Sequence, residues 1–262
     1  MAKLGAKKGF IFDLDGVIYL GETVIEGAAG AIELLRKQGK KIMFMTNNST
    51  NSRVGFCKKL SRMGIRVNVD EVLTSSHATA IWLKNNYHEG RVLVVGERGL
   101  REELRDTGFE IKGVNVDFVV VGLDRKFDYE KLKSACFALQ KGAVFISTNQ
   151  DATYPTEKGI LPGGGAMVSA LETCSGRKVF VDIGKPNRYM LDIALKEMRL
   201  KEGEVVFIGD RVDTDVAMAK KVGVVSVLVL SGITKRGELK KLTSALKPDF
   251  ILNSVNELKS LV

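Results

Sequence analysis

The chain has 262 residues, is 45% hydrophobic and 27% charged, and carries a formal charge of +9. That length and balance fit one large or two modest globular domains with a real apolar core, and they exclude a disordered or fibrous chain. No apolar run approaches the ~20 residues of a membrane span, and no secretory h-region follows the basic N-terminus, so a cytoplasmic protein is expected.

Residues 9–12 read as a short buried strand. It ends in Asp13-Leu14-Asp15-Gly16. A carboxylate at a strand end is costly to bury unless it is paired or meets a metal. A divalent cation with a phosphorylated substrate would account for it. So would a plain turn made by Asp15, with Gly16 at positive φ. Residues 28–38 form an amphipathic helix with Gly39 as its stop. Residues 41–45 form a second strand, followed directly by Thr46-Asn47-Asn48-Ser49. Residues 54–63 form a helix closed by Gly64.

The middle of the chain has its own alternation. Strands are expected at 91–95, 117–121 and 143–147, and helices at 100–106, 129–140 and 166–174. Trp82 and its leucines fit a helix face that belongs to the core. His77 and His88, the only histidines, read as surface or boundary residues. Residues 148–162 form a long polar loop carrying Asn149, Asp151 and Lys158, a length that is often functional. Gly163-Gly164-Gly165 reads as a tight turn before the next helix.

The last part returns to the first scheme. Gly184-Lys185-Pro186 precedes a helix over 187–198. A strand over 204–208 runs into Gly209-Asp210-Arg211-Val212-Asp213-Thr214-Asp215. A helix over 215–222 and strands over 224–230 and 250–252 follow. Asp213 reads as an N-cap, and Ser254 with Glu257 as a capping box. Strands alternating with helices indicate an α/β fold, a doubly wound parallel sheet with helices on both faces.

Charge marks a boundary. Acidic and basic residues balance within 78–177, so the whole excess of +9 lies in the flanking segments. The expected organisation is a discontinuous Rossmann-like core, 1–77 and 178–262, with a smaller α/β domain, 78–177, inserted into it. No basic-aromatic interleaving appears, so nucleic acid is not expected as a partner. The basic flanks would keep the protein soluble or steer a small anion. Cys57, Cys136 and Cys174 are odd in number, far apart and without a C-x-x-C spacing, so neither a disulfide framework nor a zinc site is indicated.

Four polar clusters thus follow strands or open helices, and in an open α/β sheet such ends converge on the ligand crevice. In order and spacing they resemble the haloacid dehalogenase superfamily of phosphohydrolases, in its NagD-like and 4-nitrophenylphosphatase-like branch. The carrying residues are Asp13-Leu14-Asp15-Gly16-Val17-Ile18-Tyr19, Thr46-Asn47-Asn48-Ser49, Gly184-Lys185-Pro186, and Gly209-Asp210 with Asp215. Val121-Gly122-Leu123-Asp124, Thr148-Asn149 and Gly163-Gly164-Gly165-Ala166 extend the match over nearly the whole chain.

The resemblance implies Mg²⁺-dependent hydrolysis of small phosphate monoesters through an aspartyl phosphate. It implies Asp13 as nucleophile and Asp15 as general acid and base. Lys185 would neutralise charge, and Thr46, Asn47 and Gly16 would lie against the phosphoryl group. The Asp13 carboxylate, the Asp15 carbonyl and the Asp210 carboxylate would hold Mg²⁺, with Asp215 orienting that shell. The insertion would be a cap over the site, with Asn149, Asp151 and Lys158 towards a small phosphorylated metabolite. A phosphotransferase or phosphomutase on the same core is the alternative. A signalling receiver module is the alternative from another class; it would need neither the insertion nor Asp15. Homo-oligomerisation is left open.

Overall fold

The computed structural model describes residues 4–156 and 159–262. In chain order the first elements are β1 (Gly9–Asp13), a two-stranded flap β2 (Tyr19–Leu20) and β3 (Thr23–Val24), α1 (Ala28–Lys37), β4 (Lys41–Thr46), α2 (Arg53–Arg62), β5 (Val72–Thr74) and α3 (Ser75–Tyr87). Next come β6 (Arg91–Val95), α4 (Arg98–Asp106), β7 (Glu110–Ile111), β8 (Phe118–Val121), α5 (Tyr129–Gln140) and β9 (Val144–Ser147). They are followed by β10 (Thr153–Thr156), β11 (Gly159–Pro162), α6 (Gly164–Ser175) and β12 (Val181–Asp182). The chain closes with α7 (Tyr189–Met198), β13 (Val205–Gly209), α8 (Ala217–Val222), β14 (Val225–Val229) and β15 (Phe250–Leu252).

Two parallel sheets result. The larger has six strands in the order β15-β14-β13-β1-β4-β5, and the smaller has five in the order β12-β9-β8-β6-β7. The central strands β1, β4 and β13 of the larger sheet are buried on both faces, because they carry apolar residues at successive positions while side chains alternate with period two. Phe10 and Phe12 of β1, Ile42 and Phe44 of β4, and Val206 and Ile208 of β13 point to the face covered by α1 and α2. Ile11, Met43, Met45, Val205 and Phe207 point to the other, covered by α7 and α8. The smaller sheet does the same. Val92, Val94, Val120 and Ile146 share the apolar cluster of α3, α4 and α7, whereas Leu93, Val95, Val119 and Val121 pack under α5 and α6.

Several local expectations need correction. The 148–162 stretch is not a structureless loop: β10 and β11 form an antiparallel hairpin inside it, Tyr154 opposite Leu161. Asp213 is not an N-cap. It lies in a single π-type turn, Val212–Val216, and ion-pairs with Arg211 at 2.8 Å. Ser254 makes no side-chain cap; instead Glu257 accepts from the Asn253 amide at 2.9 Å. His77 is no surface residue. It is buried, with Nδ1 at 2.8 Å from Glu103 Oε2, where the segment leaving β5 meets α4. Trp82 is only partly buried and packs against Tyr87 and Phe180 at the edge of the core.

Candidate active site

The carboxyl ends of β1, β4 and β13 lie side by side, since β1 is hydrogen-bonded to both of the others. Asp13 closes β1, Thr46 closes β4 and Asp210 follows β13. Lys185 arrives from the other sheet, in the turn between β12 and α7. One pocket collects these ends: Asp13, Asp15, Thr46, Asn47, Lys185 and Asp210 line its floor. Its roof comes from the hairpin and its flanks, with Asn149, Asp151, Thr153, Tyr154, Gly163 and Gly164, and from Leu123.

Lys185 is the electrostatic centre. Its side chain is almost fully buried, with Nζ 2.8 Å from Asp13 Oδ1 and 2.7 Å from Asp215 Oδ1. The second contact is an ion pair without hydrogen-bond alignment. Burial alone would discharge this lysine, but Asp13 and Asp215 more than offset it and push its pKa above the ordinary lysine range. Asp13 is raised well above the usual carboxylate range, first by desolvation, with Lys185 opposing and Asp215 and Asp210 adding repulsion. Desolvation and the Asp215 charge push Asp210 up to about 7.

Carboxylate oxygens of Asp13, Asp210 and Asp215 all lie within 4.8 Å of one another. The Lys185 ammonium contacts two of these three buried carboxylates, Asp13 and Asp215. Such an excess of negative charge fits a hard divalent cation held by oxygen ligands. Space is also kept beside Asp210. A Cβ at Gly16 would come 2.5 Å from Asp210 Oδ2, and one at Gly232 would come 2.0 Å from it. Asp215 holds the neighbouring backbone, its Oδ2 accepting from the amides of Asp210 (3.1 Å) and Arg211 (3.0 Å).

Asp15 points into the same pocket and is half-buried. Desolvation raises its pKa, while Lys59 and Lys185 oppose that rise. Tyr19, the first residue of the flap, donates its phenol to Asp15 Oδ2 at 3.4 Å, and Lys59 Nζ sits 3.9 Å from the centre of the Tyr19 ring. Gly16 adopts φ 81°, the left-handed turn that its position requires, and its carbonyl accepts from Ser231 Oγ at 2.7 Å.

Thr46 is buried, and its Oγ1 accepts from the Asn48 amide at 3.0 Å. The Asn47 side chain is a tie between segments. It bonds to both backbone groups of Lys185 and donates to Asp151 Oδ2 at 3.0 Å. Asn149 donates to the same Asp151 oxygen at 2.8 Å. Asn149 and Asp151 therefore border the pocket while tied to each other. Lys158 lies outside the described residues. The triple glycine serves close approach, not unusual φ: a Cβ at Gly163 would come 2.2 Å from the Asp151 carbonyl, and one at Gly165 would come 2.5 Å from that of Gln150.

Sequence reasoning missed several pocket residues. Arg211 lies between Asp210 and its partner Asp213, and Nη1 reaches the Thr153 carbonyl of the hairpin at 3.4 Å. Its place inside the Gly209–Asp215 cluster was the available signal. Ile233 donates its amide to Asp210 Oδ2 at 2.6 Å. The signal there was one more strand end, β14, followed by Ser231-Gly232. Tyr154 carried none.

Two family models match the chain, one described as haloacid dehalogenase-like hydrolase over residues 10–110 and one as HAD-hydrolase-like over 182–258. The chain is 40% identical over 235 residues to an acid sugar phosphatase of Staphylococcus haemolyticus, covering 89% of each sequence. It is 36% identical over 276 residues to phosphoglycolate phosphatase 1A, chloroplastic, of Arabidopsis thaliana, covering 96% of this chain and 76% of that one. A 4-nitrophenylphosphatase from Thermotoga maritima superposes with a TM-score of 0.94 at 34% identity, covering 98% of both chains.

Proposed function

The chain belongs to the haloacid dehalogenase-like hydrolases and is a phosphoric monoester hydrolase, and from that premise we propose how its own residues divide the reaction. The contact of Lys185 with both Asp13 and Asp215 carries the reading. It sets one carboxylate at a strand end, beside a fixed positive charge and within a carboxylate cluster.

In this reading Asp13 is the nucleophile. Its carboxylate attacks phosphorus, and the bond to the leaving alcohol oxygen breaks. Asp15 gives that oxygen a proton, then takes one from the water that attacks the aspartyl phosphate. Phosphate is released and Asp13 restored. A carboxyl raised by burial is suited to both duties. Lys185 offsets the charge of Asp13 and of the phosphoryl oxygens. Thr46, Asn47 and Gly16 line the phosphoryl position. Asp13, Asp210 and the Asp15 carbonyl would hold Mg²⁺, which supplies charge neutralisation where one anion approaches another. Asp215 fixes the Asp210 backbone.

We assign residues 1–77 and 178–262 to the catalytic core and 78–177 to the cap, β12 being the strand by which the returning chain joins the cap sheet. Asn149 and Asp151 then face the leaving group. The relatives' names include an acid sugar phosphatase and a phosphoglycolate phosphatase at similar identity, so the substrate class is a small phosphorylated metabolite.

The experiment is phosphate release from a panel of monoesters by metal-free protein, with and without Mg²⁺. Turnover restored by Mg²⁺, and little by Ca²⁺, whose ligand number and geometry are looser, supports the reading. Full turnover in chelator would remove the role given to Asp210.

A further inference from the structure

Glu103 is a buried carboxylate that stands outside the pocket, on α4 of the cap. It meets two other helices at their first turns. Its Oε1 accepts from the Arg53 amide, which opens α2, at 2.9 Å. Its Oε2 lies 2.8 Å from His77 Nδ1, in the first turn of α3, and 3.5 Å from Arg53 Nε. Ser52, at the N-cap position of α2, makes no side-chain cap, so Glu103 fills that place from a different helix. Burial would raise its carboxyl, but the bonds from His77 and from the Arg53 amide, with the Arg53 charge, outweigh that and hold it below the usual carboxylate range.

Both helix starts reach the phosphoryl loop, residues 46–48. α2 continues from that loop through Ser49, Thr50, Asn51 and Ser52. Ser75, the first residue of α3, donates its hydroxyl to the Asn47 carbonyl at 2.6 Å. Two further bonds come from the cap. The Gly99 amide of α4 donates to the Thr50 carbonyl at 3.0 Å, and the Leu123 amide donates to Ser49 Oγ at 3.2 Å. A Cβ at Gly99 would fall 2.1 Å from the Asn51 carbonyl carbon, so α4 sits this close only with glycine there.

We propose that Glu103 is a positioning residue for the phosphoryl loop: a cap carboxylate that touches no substrate locks α2 and α3 around Thr46 and Asn47. The inference rests on the phosphoryl role given to those two residues. Loss of the carboxylate leaves the Arg53 amide and His77 Nδ1 buried without a partner, and the loop between the two helix starts takes up the relaxation. Asn47 also holds the Lys185 peptide, so the displacement reaches the central cation. A shift of about 1 Å in such a constellation costs on the order of 10²-fold in rate. A tie that only stabilised the fold would lower the melting temperature and leave the turnover of folded protein unchanged.

The test is turnover of a panel of monoesters, and inhibition by inorganic phosphate, with Mg²⁺ present and well below the melting temperature of each variant. Glu103→Ala should lose roughly 10- to 100-fold in kcat/KM on every ester, chiefly in kcat, and about tenfold in affinity for phosphate. Glu103→Gln keeps an acceptor for the Arg53 amide and a donor for a neutral His77, and should recover to within about threefold of the parent. His77→Ala spares the Arg53 contact and should show a smaller loss of the same kind, about fivefold; it decides the matter if Glu103→Ala does not fold. A folded Glu103→Ala, or in its place His77→Ala, within about twofold of the parent in both measurements would overturn the proposal. So would a loss that reorders the esters instead of depressing them together. Thr46→Ala separates the two layers of the argument. If it leaves turnover and phosphate inhibition unchanged, the phosphoryl role of the loop is wrong and the inference falls with it. If it depresses both while the Glu103 and His77 variants do not, the positioning role alone is wrong.

Discussion

The side chain of Asn47 grips the backbone of Lys185 at two points. Its Oδ1 accepts from the Lys185 amide at 2.9 Å, and its Nδ2 donates to the Lys185 carbonyl at 3.1 Å. The two residues are 138 positions apart in the chain. The contact fixes the peptide of the central cation to the end of β4, so the lysine stem starts from a fixed backbone while Asp13 and Asp215 hold its ammonium.

Asn47→Ala should therefore damage catalysis without removing any charge. Two buried backbone groups lose their partner, which costs roughly 1–3 kcal/mol of stability. A small displacement of Lys185 should cost on the order of 10²-fold in kcat/KM. The loss should extend to 4-nitrophenyl phosphate, because Lys185 serves the phosphoryl group common to every substrate. Unchanged turnover of that ester, with only natural substrates affected, would show that the grip matters to the cap alone.

Asp13→Asn keeps the shape of the nucleophile and removes its attacking charge. The protein should fold normally, as checked by thermal melting, and lose at least about 10³-fold in turnover. Asp15→Asn should behave differently. With a good leaving group it should still form phosphoenzyme, detectable as an increase in intact mass, and then stall. An Asp13→Asn enzyme within tenfold of wild type would end the covalent mechanism.

Asn149 and Asp151 belong to the roof, and Asp151 meets the floor through Asn47. Asn149→Ala and Asp151→Asn should reorder substrates by kcat/KM, with 4-nitrophenyl phosphate least affected because it offers the roof few polar groups. Thr46→Ala should depress all substrates together. A uniform loss in the roof variants, with the ranking unchanged, would make their hydrogen bonds to each other and to Asn47 the whole of their role.

A pH effect on stability is expected at Asp182, at the end of β12. Its carboxylate accepts from Ser147 Oγ at 2.6 Å and from Asn187 Nδ2 at 2.9 Å, yet burial pushes its pKa up to about 6. Between about pH 4 and 6 the folded state then binds more protons here than the unfolded chain. Stability contributed by this group therefore falls as pH rises through that window. Asp182→Asn should flatten the fall and gain roughly 1–3 kcal/mol at neutral pH. Denaturant melts of both proteins at pH 5 and pH 8 decide it; an equal difference at the two values would contradict the shift.

The longer strands, the α/β organisation and the residues on the pocket floor were legible in the sequence, whereas the two- and three-residue strands β2, β3, β5, β7 and β12 were not. The legible signals are local. Phe10, Ile11 and Phe12 are a continuous apolar run because β1 is covered on both faces, and Asp13, Thr46 and Asp210 stand where such runs end. The order and spacing of the motifs supplied the family. What tertiary structure alone decided is which distant groups touch. Nothing near Asn47 in the chain points to Lys185 or Asp151, and nothing near His77 points to Glu103. The hairpin Thr153–Pro162 was hidden because its strands are short and its apolar residues Ile160 and Leu161 are adjacent and exposed, so the period-two signal of a half-buried strand is absent.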